Sequence, residues 1–328
     1  MNTVAQTGLL GSDAEVPPAL PNQSAPVESL PTETRQLGSV PHVLEIEEPR
    51  RPRLAMVFAS PHSGRDYPDE FVAASVLDPL SLRKSEDAFV DELFAAAAAM
   101  GAPLLKALFP RALLDPNREA WELDPAMFDG PLPDYVNTGS PRVAAGLGTI
   151  ARVVASGTEI YRGKLSFAEA RRRVERLYRP YHATLAALVD RTRQHFGHCI
   201  LVDCHSMPSM GGPADTDQGT PRVDFVLGDC FGNSCAPAIT AAVERTLENL
   251  GYRTVRNLPY SGGHTTRHYG KPVEGVHALQ IEVNRRIYMD EATHRKRPGF
   301  TRLQDHLGEV IAALSSIPAN ELRSGSSR

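Results

Sequence analysis

Two apolar runs that stop abruptly on polar side chains constrain this chain more than anything else in it. Residues 54–59 lead into Ser60, Pro61, His62, Ser63 and Gly64, and Leu201 and Val202 lead into Asp203, Cys204, His205 and Ser206. A buried strand has this appearance when it delivers polar groups to the edge of a sheet, where ligands of open α/β sheets gather. Two such runs, each closing on a His-Ser pair, predict two imidazoles converging on one ion. Neutral imidazole is a common ligand of zinc.

The rest of the middle of the chain alternates between element types. Strands are predicted over 54–59, 103–109, 199–203, 223–227, 252–255 and 276–283. Helices are predicted over 87–100, 166–195, 234–250 and 301–314, with Gly101 and Gly251 placed to stop two of them. Ser166 followed by Glu169 fits a capping box, and Pro180 implies a kink or break inside its helix. Strands separated by helices imply an α/β fold with helices on both faces of the sheet. Residues 110–157 are rich in Pro and Gly and read as long loops, which in a compact domain are usually functional or mobile. Residues 1–40 read as a disordered Pro/Ser-rich tail, 41–318 as a single α/β domain, and 319–328 as a loose C-terminal tail.

Composition excludes several classes. A net charge of −4 over 328 residues gives no electrostatic reason to expect nucleic acid. No apolar stretch approaches the roughly 20 residues that span a bilayer. The first ten residues lack a positively charged segment, and acidic, Pro-rich sequence follows, so a cytoplasmic location is expected. Cys199, Cys204, Cys230 and Cys235 form no CxxC spacing and read as reduced thiols.

Residues just beyond the strands carry the chemistry. A third ligand beside His62 and His205 is best a carboxylate, which leaves one position open for water. Asp87, Glu86, Asp66 and Asp91 are the candidates; capping a helix is the alternative role for Asp87. Glu282 lies in a mainly apolar strand and shares one face with Gln280 and Asn284. A carboxylate there is costly unless it is paired with Arg285 or Arg267, or acts as a general base. Arg111 and Arg118 offer guanidinium forks suited to a carboxylate or an oxyanion. The Gly-rich stretch 260–270 reads as a loop, either a flap over the site or simply solvated. Ser63 and Ser206 lack a nucleophile-elbow motif.

Six blocks in order resemble the N-formylglutamate amidohydrolase (N-formylglutamate deformylase) family over roughly residues 50–315. They are Pro61-His62-Ser63-Gly64, the stretch from Glu86 to Leu93, Pro110-Arg111 through Asp115-Pro116-Asn117-Arg118, Asp203-Cys204-His205-Ser206, the loop from Gly262 to Gly270, and Glu282 through Tyr288. The resemblance implies a phosphorylase/hydrolase-like three-layer fold with a mixed sheet, related to zinc carboxypeptidases and aspartoacylase-type deacylases. It implies one catalytic domain that cleaves N-formyl-L-glutamate to formate and L-glutamate in histidine breakdown, with zinc or another divalent metal. By the same resemblance His62 and His205 are ligands, Glu282 is the base, Arg111 polarises the scissile carbonyl, and Asn117 and Arg118 grip the substrate carboxylate. Gly263, Thr266, Arg267 and Asn284 are expected at the substrate. One position departs from the pattern: Arg65 stands three after His62, where relatives carry Glu. Asp87 is therefore the expected carboxylate ligand. The expected partner is a small N-acyl amino acid, with oligomeric state unassigned; the competing readings are another N-acyl amino acid or a peptide as substrate, a binding protein without activity, and a scaffold that uses the Pro-rich tail.

Overall fold

The computed structural model describes residues 42–212 and 215–322. The expected N-terminal tail lies outside the described residues. Seven strands form one mixed sheet: β1 (Leu44–Glu47), β2 (Met56–Ser60), β3 (Leu104–Ala107), β4 (Cys199–Met207), β5 (Phe225–Gly228), β6 (Thr254–Arg256) and β7 (Val276–Asn284), in the spatial order β1-β3-β2-β4-β7-β5-β6. The centre is parallel, from β3 through β2 and β4 to β7. β1 runs antiparallel on one edge, and β5 runs antiparallel to β7. Strand β1 is an addition to the expected set, a four-residue edge strand too short to announce itself by periodicity.

Period-two alternation builds the three layers. On β2, Met56 and Phe58 enter one core with Val202, Ile281, Val243 and Leu307, while Val57 and Ala59 enter the opposite core with Leu201, Leu105, Leu185 and Leu188. The helices covering the first face are α1 (Val90–Leu93), α2 (Ala96–Met100), α5 (Pro237–Asn249) and α7 (Phe300–Ser315). The second face is covered by α4 (Arg179–Phe196), continuous with α3 (Phe167–Arg173) through a π-helical turn at Val174–Tyr178. That turn sits just ahead of Pro180, whose missing N–H disrupts regular α-helical bonding, and is the form the expected kink takes. Ser166 caps α3 by accepting from Glu169 N–H. The 110–157 stretch folds over a small core of its own, in which Leu123, Phe128 and Ile150 pack with Ala170 of α3.

Four expectations change. The helix expected over 87–100 begins only at Val90, because Phe89 occupies the left-handed region at φ 66°, and it is broken before Ala96. β4 runs four residues past the expected end, so His205 is a strand residue. The Gly-rich loop holds a short helix, α6 (His264–Tyr269), bounded by Gly263 and Gly270; Thr265 N–H donates to Asn117 Oδ1 at its start. Ala319–Glu321 forms a 3-10 turn, and Leu322 is buried in the main core with its carbonyl bonded to His277, so the domain extends at least to residue 322. Cys199, Cys204 and Cys235 are buried free thiols and Cys230 is a half-buried one. Among the described residues no helix is long and apolar enough to cross a membrane.

Candidate active site

The C-terminal ends of β2, β4 and β7 form the floor of a cleft of about 380 Å³. Its wall comes from the 110–157 segment and the 259–263 turn. The Pro61–Gly64 turn carries His62 from the end of β2 into the floor. A Cβ on Gly64 would lie 2.1 Å from the Phe109 carbonyl, so only glycine lets this turn pass against the chain that follows β3. Asp87 N–H donates to the His62 carbonyl, which ties the His62 and Asp87 turns together. The left-handed Phe89 then starts α1 beyond Asp87, freeing the Asp87 side chain from any capping duty.

That side chain faces both imidazoles. Asp87 Oδ2 lies 3.4 Å from His62 Nδ1 and 3.1 Å from His205 Nδ1, while Arg285 donates to Asp87 Oδ1 at 2.9 Å. His62, Asp87 and His205 are all buried and offer ligand atoms within 4.8 Å of one another, so the trio can hold a metal ion. Each imidazole is backed by a second carboxylate on its far nitrogen: His62 Nε2 is 2.7 Å from Asp115 Oδ1, and His205 Nε2 is 3.0 Å from Asp203 Oδ1. Metal-bound histidines are usually oriented in this way.

Two observations of the site itself fit a cation. His62 Nδ1 is buried without a hydrogen-bond partner. Burial works against a charge on His205, yet Asp203 and Asp87 outweigh it and hold the imidazole well above its ordinary pKa, so positive charge is favoured at this spot. Burial raises Asp87 too, but the hydrogen bond from His205 and the pull of His62 and Arg285 overcome it and hold the carboxyl well below its ordinary pKa.

Glu282 reaches the same floor through strand register. It pairs with His205 across the β4–β7 ladder, two positions on from the Asp203–Gln280 pair, so both pairs stand on the same face of the sheet. The ion pair with Arg285 or Arg267 does not form: Arg285 is committed to Asp87, and Glu282 Oε1 accepts instead from Gln280 Nε2 at 2.8 Å. Burial raises the Glu282 carboxyl to about 7, with His205 pulling it down and Asp87 pushing it up.

Not every expected residue meets the cleft in the expected way. Arg111, Arg118, Asn117, Gly263 and Arg267 line it. Asn117 spends its amide inward, its Nδ2 on His205 and Asp203 and its Oδ1 on Thr265 N–H. A Cβ on Gly263 would fall 2.4 Å or less from that amide, which explains the glycine there. Arg118 donates through Nε and Nη1 to the carbonyls of Leu147 and Asn117, leaving Nη2 3.6 Å from Asp115. Thr266 and Asn284 lie behind the cleft and are fully buried. Thr266 faces Asp203, and Asn284 closes the end of β7 by donating to the Arg222 and Val223 carbonyls and accepting from Arg286 N–H. Their polar atoms serve the protein. Glu86 pairs with Arg83, which removes it from the ligand candidates.

Sequence reasoning passed over the supporting carboxylates Asp115 and Asp203, and Arg285 as the holder of Asp87. Alternation alone places Asp203 on the face of His205. Nothing local reveals Arg285, which reaches Asp87 from 198 residues away in the chain.

A model of the N-formylglutamate amidohydrolase family matches residues 54–289. The chain belongs to the N-formylglutamate amidohydrolase family. The chain is similar to the N-formylglutamate deformylase of Pseudomonas putida, 32% identical over 242 residues that cover 73% of this chain and 83% of that one. The Pseudomonas aeruginosa N-formylglutamate deformylase is 33% identical over 245 residues, covering 74% of this chain and 85% of its own. The crystal structure of N-formylglutamate amidohydrolase from Ralstonia eutropha JMP134 superposes with a TM-score of 0.77 at 38% identity, over 84% of this chain and 97% of that one. A gene product from Agrobacterium tumefaciens, Atu2144, shares the fold at a TM-score of 0.61 and 18% identity, over 84% of this chain and 95% of its own. Membership of this amidohydrolase family makes the chain a hydrolase of amide bonds.

Proposed function

We propose that this cleft hydrolyses N-formyl-L-glutamate to formate and L-glutamate with a divalent metal, zinc in the first instance, and that the reaction serves histidine breakdown. The observation that carries the reading is the His62–Asp87–His205 trio lying directly beside Glu282 in the strand register, in a chain of this family. His62, Asp87 and His205 are the ligands. A divalent ion supplies acidification of water and Lewis-acid polarisation of the formyl oxygen.

The side chains carry out the proton work. Glu282 accepts a proton as water adds to the formyl carbon, then returns it to the amide nitrogen as the C–N bond breaks. A carboxyl near 7 suits both halves of that task at neutral pH. Arg111 is anchored through Nε to Asp115 and keeps the rest of its fork for the developing oxyanion. Arg118 and Arg267 hold the substrate α-carboxylate. Asn117 is reassigned from substrate to the positioning of His205.

The test is formate release from N-formyl-L-glutamate by protein as isolated, after chelation, and after zinc is restored. Activity that vanishes and returns is expected. Undiminished activity in chelated, metal-free protein would remove the metal from the reading, and no release from zinc-loaded protein would remove the formyl substrate.

A further inference from the structure

The guanidinium groups lining the cleft differ in how far they are already committed. Arg285 is spent on Asp87, Ser206 and the Lys84 carbonyl, and Arg152 on Asp124 and Glu159. Arg118 gives two donors to backbone carbonyls, Arg111 gives Nε to Asp115, and Arg267 gives Nη1 to the Gly262 carbonyl. Arg142 also lines the cleft, from its exposed rim, and its side chain has no hydrogen-bond or ion-pair partner among the described residues.

Its backbone is nonetheless fixed. Arg142 belongs to the four-residue helix Pro141–Ala144, capped where the Ser140 hydroxyl accepts from Val143 N–H. The Arg142 carbonyl accepts from Leu147 N–H, and the Leu147 carbonyl accepts from Arg118 Nε. The segment that presents Arg142 is therefore fastened to the buried cation beside Asp115. Charge in this corner is out of balance. Burial lowers the Arg118 guanidinium to about 10; Asp115 and Glu122 pull it up, and the charges of Arg111 and Arg142 push it down. Asp115 already faces His62 and Arg111, and Glu122 accepts from the Ser140 hydroxyl, so three guanidinium groups share two engaged carboxylates. Cations that repel one another around a cavity are relieved by an incoming anion.

We propose that Arg142 reads the distal carboxylate of the substrate and makes the cleft selective for dicarboxylic N-formyl amino acids. The assignment rests on the hydrolytic reading above. A substrate with two carboxylates needs two cationic partners, and Arg142 is the lining cation whose whole fork is unspent. N-formyl-L-glutamine has nearly the same shape as N-formyl-L-glutamate but carries a neutral amide at the distal end, so it isolates this contact.

The experiment compares kcat/KM for these two substrates in zinc-loaded wild type, Arg142→Ala and Arg142→Lys. A charge-assisted bond of this kind predicts a loss of about tenfold on N-formyl-L-glutamate in Arg142→Ala, mainly through KM, with N-formyl-L-glutamine unchanged. Arg142→Lys should recover part of the loss. Calorimetric binding of the products gives an independent readout: L-glutamate should weaken by a similar factor in Arg142→Ala, and L-glutamine should not. Equal losses on both substrates would make Arg142 a structural residue, and no loss on either would place the distal carboxylate elsewhere; both outcomes overturn the proposal. Wild type that cleaves both substrates equally well refutes the selectivity while leaving the hydrolytic reading intact. Wild type that cleaves neither refutes both.

Discussion

The floor and the wall of the cleft are built by opposite means. The floor is β-ladder: His205, Asp203, Gln280 and Glu282 stand where parallel pairing of β4 and β7 puts them, on strands buried along their whole length. The wall is loop, held by individual hydrogen bonds such as Arg118 to Leu147 and by its own small core around Phe128 and Ile150. Ladder geometry changes only by steps of a residue, and each step turns the side chain to the other face. Loop geometry can be adjusted one bond at a time. The comparison teaches that His205, Asp203 and Glu282 are fixed by sheet register, whereas the guanidinium groups of the wall, Arg111, Arg118 and Arg142, are placed by loop segments that can be varied singly.

The strongest way to break that division is to remove a floor ligand. His205→Ala should lose the metal and at least about a thousandfold in turnover, since hydrolysis loses the attacking group along with the ion. Metal analysis alongside kinetics decides the matter: retained metal would mean that the ion sits elsewhere. Next in size is Glu282→Gln, with an expected loss of about 10²–10⁴ in kcat while metal content stays constant. Metal lost in this variant would make Glu282 a ligand. In the parent enzyme the base must be ionised, so log kcat/KM should fall as pH drops below the Glu282 pKa, giving an acid limb no higher than about pH 7. A bound cation moves that limb lower. Disappearance of the limb in Glu282→Gln assigns it; an unchanged limb assigns it to another group.

A smaller effect is expected behind the floor. Asp115→Asn removes the carboxylate that faces His62 Nε2 and should weaken metal binding by about 10–100-fold. Competition with a chelator measures this directly, and unchanged affinity would reduce Asp115 to an anchor for Arg111 and Arg118. The smallest effect concerns the wall's support. His182 on α4 bonds the Pro116 carbonyl and packs against Tyr269 of α6, and burial lowers its pKa from 6.5 to about 4. The unfolded chain protonates His182 near 6.5 and the folded chain does not, so stability falls as pH drops through this window. By pH 5 the loss attributable to His182 is about 2 kcal/mol. Urea midpoints at pH 7.5 and 5 should differ less in His182→Gln than in wild type; equal pH sensitivity would clear His182 of the effect.

The same division explains what could be read from the chain alone. The His62 and His205 runs, the alternation that puts Glu282 on a polar face, and the seams between strand and helix are all periodic or terminal signals, and these elements stand in the structure with small shifts at their ends. Asp87 was legible as a carboxylate at a helix start, but its release from that start depends on a left-handed Phe89 that no propensity favours. α6 reads as a loop because its sequence is Gly-bounded and polar; its helix is held by tertiary contacts, with Asn117 accepting from the N–H of its second residue, Thr265, and with Thr265 and Thr266 buried. Asn284 and Thr266 looked like substrate contacts because strand ends and Gly-rich loops usually face ligands, yet both were recruited to close backbone or carboxylate bonds behind the cleft. Arg142 had no local signature at all, since what distinguishes it is the absence of a partner in three dimensions.

His62, Asp87 and His205 are separated by 25 and 118 residues, and they meet because β4 pairs beside β2. Loop closure on this scale is slow, and it precedes any gain from the contacts it enables. A chain still being synthesised, with residues up to 198 exposed, has His62 and Asp87 but neither His205 nor the strand that aligns it. On the proposed metal reading the full trio exists only once β4 has been made and paired, so a bound ion would act on the lifetime of the folded protein, by mass action, more than on the speed at which it forms.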